Sequence, residues 1–250
     1  MFFASSVLVA ALVSIVQAQT PSGFEPSVKT QLNVFFNSTA VSSPGQLLTK
    51  AATASAPQIA ASGPNINAED TYVFVMLDLD VPPGGGSSTR RVLLHAMTTD
   101  FKATTQALSG GSKLLASQSK GPATYLGPSP PASDAMPHRY VQLLFKQPAS
   151  LQVQATEFAN TQSRINFNIT EFAAKNSLGK PLAGNFFTVS GQAGGNGGAA
   201  ASSGGGSRGT ATGSGGLPRN TLQPFEGAAG KLDVSLGFAG LIGGLVVAMV

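Results

Sequence analysis

The stretch TYVFVMLDLDVPP, residues 71–83, decides the fold. Its first seven residues are a dense β-branched and aromatic run, the composition of a buried central strand. Asp78-Leu79-Asp80 then interrupts the apolar run, and period-two alternation sends both carboxylates to one face and Leu79 to the other. Pro82, Pro83 and the glycines that follow form a turn the strand does not continue through. A strand ending on two carboxylates beside a Pro/Gly loop is where a rigid sheet presents a site.

The same reading extends outward. Residues 32–36, 92–97, 140–145 and 184–189 carry further strand signals. Helical spacing waits until 168–179, where Asn168 or Thr170 caps the start, Phe172 and Leu178 face inward, and Gly179 supplies a left-handed stop. Strands first and one late helix predict a mainly β, largely antiparallel domain over residues 19–192. The chain has no cysteine, so stability comes from the core, which a domain of about 170 residues is large enough to supply.

The ends have other compositions. Residues 1–18, MFFASSVLVAALVSIVQA, form an apolar run closing on a small-residue cleavage pattern, which reads as a secretory signal peptide. Residues 193–226 are Gly/Ser-rich, have few side chains able to bury area, and read as a flexible tether. Small residues at Gly227 and Ala228, a polar spacer and the apolar terminus 236–250 follow the order of a glycosylphosphatidylinositol (GPI) attachment signal, with Gly227 or Ala228 as the attachment residue. That terminus is shorter than the roughly 20 apolar residues of a membrane span. On a secretory route, Asn37-Ser-Thr and Asn168-Ile-Thr are N-glycosylation acceptors. The net charge of +4 comes from scattered basic residues with only Arg90 and Arg91 adjacent. Without a basic cluster interleaved with aromatics, a nucleic-acid partner is excluded.

Both histidines lie in strands beside Pro/Gly loops: His95 inside an apolar run, and His138 opening the segment HRYVQLLF after the Pro-rich loop YLGPSPP, residues 125–131. Each polar candidate also has a structural reading. His95 suits a hydrogen-bonded core position, Arg139 neutralises one of the two aspartates, Tyr140 packs with its hydroxyl satisfied, and the prolines stiffen a loop.

Tyr125-Leu-Gly127-Pro128-Ser-Pro130-Pro131 followed by His138-Arg139-Tyr140 resembles the second signature of the phosphatidylethanolamine-binding protein family, Tyr-x-Gly-Pro-x-Pro-Pro, a short loop, then His-Arg-Tyr. Asp78-Leu79-Asp80-Val-Pro82 resembles the first signature, Asp-Pro-Asp-x-Pro, and Leu94-His95-Ala96 is similar to the Leu-His-Trp that follows it. The likeness covers about residues 24–190. It implies an antiparallel β-sandwich with a short C-terminal helix, here in a secreted, GPI-anchored member of fungal type. It also implies a small pocket for a phosphate-like anion, built from Asp78, His95, Gly127, Pro131, His138 and Tyr140, with residues 127–131 as its rim and Asp80–Arg139 as a structural ion pair. The sequence departs from the family at Leu79, which replaces proline, and at Ala96, which replaces a large aromatic and opens one pocket wall or removes packing beneath it.

These observations predict a noncatalytic, monomeric cell-surface binding module without a cofactor. Its expected location is the outer face of the plasma membrane, with transfer to the cell wall as a variant of that location. The expected ligand is an anionic small molecule or phospholipid headgroup. The alternative is a protein regulator on the same scaffold, such as an inhibitor of a secreted protease, or a partner of a cell-wall protein. A metal-dependent enzyme using two histidines and a carboxylate is the weakest reading, because their spacing alone does not specify a metal site.

Overall fold

The computed structural model describes residues 17–108 and 110–192. The segments expected at 1–18, 193–226 and 227–250, with Gly227 and Ala228, lie outside the described residues apart from Gln17 and Ala18. No helix among the described residues is long and apolar enough to cross a membrane.

The strands are β1 (Asn33–Phe36), β2 (Thr39–Ala40), β3 (Gln46–Leu48), β4 (Gln58–Ala61), β5 (Tyr72–Val81), β6 (Arg91–Ala107), β7 (Lys113–Ala116), β8 (His138–Lys146) and β9 (Ala183–Val189). One α-helix, α1 (Ile169–Lys175), precedes β9. The strands join a single sheet in the order β2-β1-β4-β7-β6-β5-β8-β9-β3. Its pairs are antiparallel except β3 with β9, a parallel edge that the sequence did not reveal.

The sandwich arises because this one sheet curls. β6 pairs with β5 from Arg91 to Phe101, then with β7 from Lys102 to Ala107. At the changeover Asp100 takes φ +62°. The Asp100 amide donates to Gln147 Oε1 at 2.8 Å, and Gln147 Nε2 donates to Asp100 Oδ1 at 2.7 Å. A residue in the left-handed region within a long strand redirects it. Between the leaves Phe36, Ile59 and Leu115 pack with Phe74, Met76, Leu144 and Phe187. The outer face of the β5-β6-β8 leaf is apolar as well: Val73, Val75, Leu77, Val141 and Leu143 meet Ile169 and Leu178 from the α1 region. Burial on both faces is why β5 and β8 read as nearly unbroken apolar runs.

Asn168 is the cap of α1, its Oδ1 accepting from the amides of Thr170 at 3.0 Å and Glu171 at 3.2 Å. The stop differs from the expected one. Gly179 does take φ +69°, but the helix has already ended at Lys175 and Ser177 adopts φ +56° first. Both sequon asparagines are exposed. Asn37 (φ +51°) stands in the tight turn between β1 and β2, and Asn168 at the start of α1.

Candidate functional site

Strands β5, β6 and β8 position the site, and two register irregularities aim it. Met76 pairs with Ala96 while Leu77 pairs with Leu94, which leaves His95 as an extra residue on β6. Such a bulge re-aims a side chain, and His95 lies with its ring edge against Tyr140, centroids 5.1 Å apart. Farther along, Asp78 pairs with Leu93 and Val81 with Arg91, so β5 carries an extra residue between them. Asp78 lines the cavity and Asp80, two residues on, does not.

The cavity holds about 340 Å³ and is lined by Asp78, His95, Gly127, Pro131, His138 and Tyr140, closed at the side by Pro82 and Leu93. In the rim 127–131, three of five residues are prolines, so only Gly127 and Ser129 offer amide N–H groups. Two cations fasten the surroundings. Lys50 Nζ donates to the Pro130 carbonyl at 2.8 Å and the Gly191 carbonyl at 3.3 Å. Buried Arg164 donates to the Thr124 carbonyl at 2.7 Å, fixing the chain that leads into the rim.

Charge is arranged in a row. His138 Nδ1 donates to Asp78 Oδ2 at 2.8 Å and its Nε2 donates to Asp134 Oδ2 at 3.0 Å. Asp134 in turn receives both terminal nitrogens of Arg90, at 2.6 and 2.8 Å. Burial alone would lower the His138 pKa, but the hydrogen bonds and charges of Asp78 and then Asp134 outweigh it and raise the value above 6.5. The Arg90 guanidinium, followed by His138, holds the Asp134 carboxyl well below the usual carboxylate range. Both ring nitrogens of His138 thus face carboxylates, an arrangement that favours the imidazolium. His138 lines the cavity while its two ring nitrogens bond Asp78 and Asp134.

His95 has the opposite character. Its Nδ1–H donates to the Leu126 carbonyl at 2.8 Å, and Nε2 stands 3.9 Å from Asp78 Oδ2. Burial depresses its pKa below 6.5, against the Leu126 hydrogen bond and the Asp78 charge, so the ring is neutral at pH 7 and Nε2 carries a lone pair. Tyr140 is fully buried between His95 and Phe187, and its hydroxyl lies beside the Asp78 carboxylate without a hydrogen bond of ordinary geometry. Burial, then the Asp78 charge, pushes the phenol far above its ordinary range, so it stays an O–H donor.

Asp80 and Arg139 form a bidentate pair outside the cavity: Nε and one terminal nitrogen of Arg139 each donate at 2.8 Å, and the Arg139 amide adds a third bond at 2.8 Å. Burial would raise the Asp80 pKa, but the Arg139 hydrogen bonds prevail and lower it.

Sequence reasoning missed Asp134, Arg90 and Lys50. The position of Asp134 four residues before His138 was the available signal for it. Arg90 and Lys50 carry none, because each arrives from a distant loop. Ala96 is absent from the 340 Å³ cavity; it lines a separate one of about 510 Å³ together with Phe74, Phe101 and Tyr125. Among the described residues, no three His, Cys, Asp or Glu side chains converge where they could hold a metal ion.

A family model described as phosphatidylethanolamine-binding protein matches residues 37–187. The chain is similar to phomoidride biosynthesis cluster protein N of Talaromyces stipitatus, 34% identical over 199 residues that cover 73% of this chain and 96% of the relative. It is also similar to the carboxypeptidase Y inhibitor of Saccharomyces cerevisiae, 32% identical over 150 residues covering 52% of this chain and 66% of the inhibitor. Among solved structures, a crystal structure of carboxypeptidase Y inhibitor complexed with the cognate proteinase matches at 25% identity and TM-score 0.49, covering 66% of this chain and 84% of that one. The matched span includes the two bulged strands, the proline rim and the His138-Arg139-Tyr140 segment: the chain belongs to the phosphatidylethanolamine-binding protein family.

Proposed function

We propose that this domain is a noncatalytic binding module whose 340 Å³ cavity takes a phosphate-like anion, carried by a phospholipid headgroup or another phosphorylated small molecule. One observation carries the reading: the Tyr140 hydroxyl is fully buried on the cavity wall beside the Asp78 carboxylate and completes no hydrogen bond of ordinary geometry within the domain. A buried hydroxyl without a partner costs free energy, and a ligand oxygen accepting from it offsets that cost. His95 Nε2 and Asp78 accept from a P–OH group or a headgroup ammonium, while Gly127 and Ser129 offer amides at the rim. His138, neutralised by Asp78 and Asp134, supplies the frame that orients Asp78. This donor and acceptor set favours a monoanion over a bare dianion.

Calorimetric titration of the full chain with phosphoethanolamine tests the reading. Saturable binding is expected, and Tyr140→Phe weakens it about tenfold or more, the worth of a hydrogen bond to a charged group. A flat titration of the unmodified chain overturns it. The pH dependence has a defined sign. His95, whose pKa is held below 6.5 by burial, stays an acceptor, and the P–OH proton it accepts is present on a phosphate ester only below that group's second pKa of about 6, so affinity rises as pH falls through the range around that value. A titration series whose affinity falls over that range instead counts against His95 as a ligand contact.

A second reading, regulation of a partner protein, is favoured by Met136, which is 65% exposed in the loop between the rim and β8. The named activity of the yeast relative is of this kind. For either role, export and GPI anchoring, as the terminal segments suggest, place the domain outside the cell.

A further inference from the structure

The 510 Å³ cavity beside Ala96 shares no lining residue with the anion cavity, yet the two touch along the chain: Ala96 follows His95, and Leu126 follows Tyr125. It opens where β6 passes from one leaf to the other. Its walls are apolar and aromatic. Phe74 and Phe101 meet edge to face with centroids 6.3 Å apart, Leu115 is buried beside them, and the half-buried Tyr125 directs its hydroxyl away, donating to the Thr53 carbonyl at 2.6 Å. The ring faces of Phe101 and Tyr125 are thus left partly uncovered. Ala96 sits at 2% exposure and ends in a methyl group, leaving the space between these rings unfilled. Lys120 is the one charged residue of the lining, exposed at the mouth, and no acidic residue lines the cavity.

A concavity of this volume, apolar within and bearing a few polar groups at its edge, has the form of a small-molecule site. The charge of its mouth selects the ligand. We propose that this cavity is a second binding site for a small apolar acid, an aromatic or medium-chain aliphatic carboxylate, with the hydrocarbon against Phe74, Ala96, Phe101 and Tyr125 and the acid group at Lys120. The chemistry differs from that of the anion cavity. There a buried hydroxyl and an imidazole await a hydrated headgroup; here dispersion and burial of hydrocarbon supply affinity, and a single exposed cation supplies orientation.

The test uses the full chain and the fluorescent aromatic sulfonate 8-anilinonaphthalene-1-sulfonate as probe, with octanoate as competitor. Saturable, one-site enhancement is expected, displaced by octanoate and left in place by excess phosphoethanolamine. Ala96→Trp, which fills the cavity with an indole, lowers probe affinity at least tenfold while the melting temperature shows the domain folded. Lys120→Glu, an exposed charge reversal, lowers it about fivefold or more and serves as the deciding variant if Ala96→Trp does not fold. Absence of saturable binding overturns the proposal. So does equal binding by folded Ala96→Trp, or by Lys120→Glu if the former does not fold. Displacement of the probe by phosphoethanolamine places it in the anion cavity and likewise overturns the second site. Loss of phosphoethanolamine binding in Tyr140→Phe with probe binding intact separates failure of one site from failure of the other.

Discussion

Replacing His138 with alanine is expected to destabilise the domain by about 3–5 kcal/mol, the cost of removing one partner from a buried charge pair. In a domain of this size that lowers the melting temperature by roughly 6–20 °C. His138 is 2% exposed and stands between Asp78 and Asp134, 4% and 8% exposed. Without the imidazolium, Asp78 loses its cation and Asp134 keeps only Arg90. The linkage to pH follows from the direction of each shift. The folded pKa of His138 is raised above 6.5, so its contribution is fully present below pH 6.5 and is lost as pH rises through the folded value. Asp134 is shifted the other way: its contribution is present above the ordinary carboxylate value of 3.8 and is lost as pH falls toward its depressed folded value. The gap in melting temperature between the unmodified protein and His138→Ala is therefore widest between about pH 4 and 6.5 and narrows above that window. Thermal melts across this range check it; a gap that grows steadily with rising pH contradicts the assigned charge state.

Gly121→Ala is the second large effect. Gly121 has φ +74°, and a Cβ there lies 2.0 Å from the Met97 carbonyl oxygen and 2.7 Å from Thr98 Cα. Both obstacles are backbone, so neither rotates away. Two residues later the chain forms the bridge in which Met97 and Ala123 exchange hydrogen bonds of 2.9 and 3.2 Å. A methyl group pushes residues 117–124 off β6 and displaces Tyr125, the residue from which the proline rim continues. Left-handed backbone strain of about 1–3 kcal/mol and steric overpacking of about 1–3 kcal/mol together predict a loss of roughly 2–6 kcal/mol. Gly85→Ala isolates the first contribution, because Gly85 has φ +65° and nothing within 4 Å of its added Cβ. Denaturant unfolding of the two variants gives the comparison. Equal losses show that the close approach at Met97 contributes nothing.

Much of the architecture was legible before any coordinate. The runs at 71–77 and 140–145 marked β5 and β8 because both faces of these strands are buried and almost every side chain is apolar. Asn168 and Thr170 both announced the helix start, since a short polar side chain able to accept from the first free amides is what a helix N-terminus needs, and the structure gives that role to Asn168. The short strands β2, β3 and β7 had no comparable signal, since two to four residues hold too little alternation to separate a strand from a loop.

At the cavity, the resemblance of the signatures to those of the family implied that Asp78, His95, the proline rim, His138 and Tyr140 would come together, and they line one cavity. Only the tertiary structure decided what each one does. Register determines direction, and one residue inserted into a strand turns every later side chain to the other face. The bulge on β6 placed His95 beside Tyr140, and the one on β5 separated Asp80 from Asp78. Asp134 then reached His138 from a loop, with Arg90 bonded to Asp134 behind it, so that both ring nitrogens of His138 meet carboxylates. Alternation along a single strand carries no record of such partners. Nor does it record the space at Ala96, which exists only because Phe101, Leu115 and Tyr125 arrive from three separate segments and leave it unfilled.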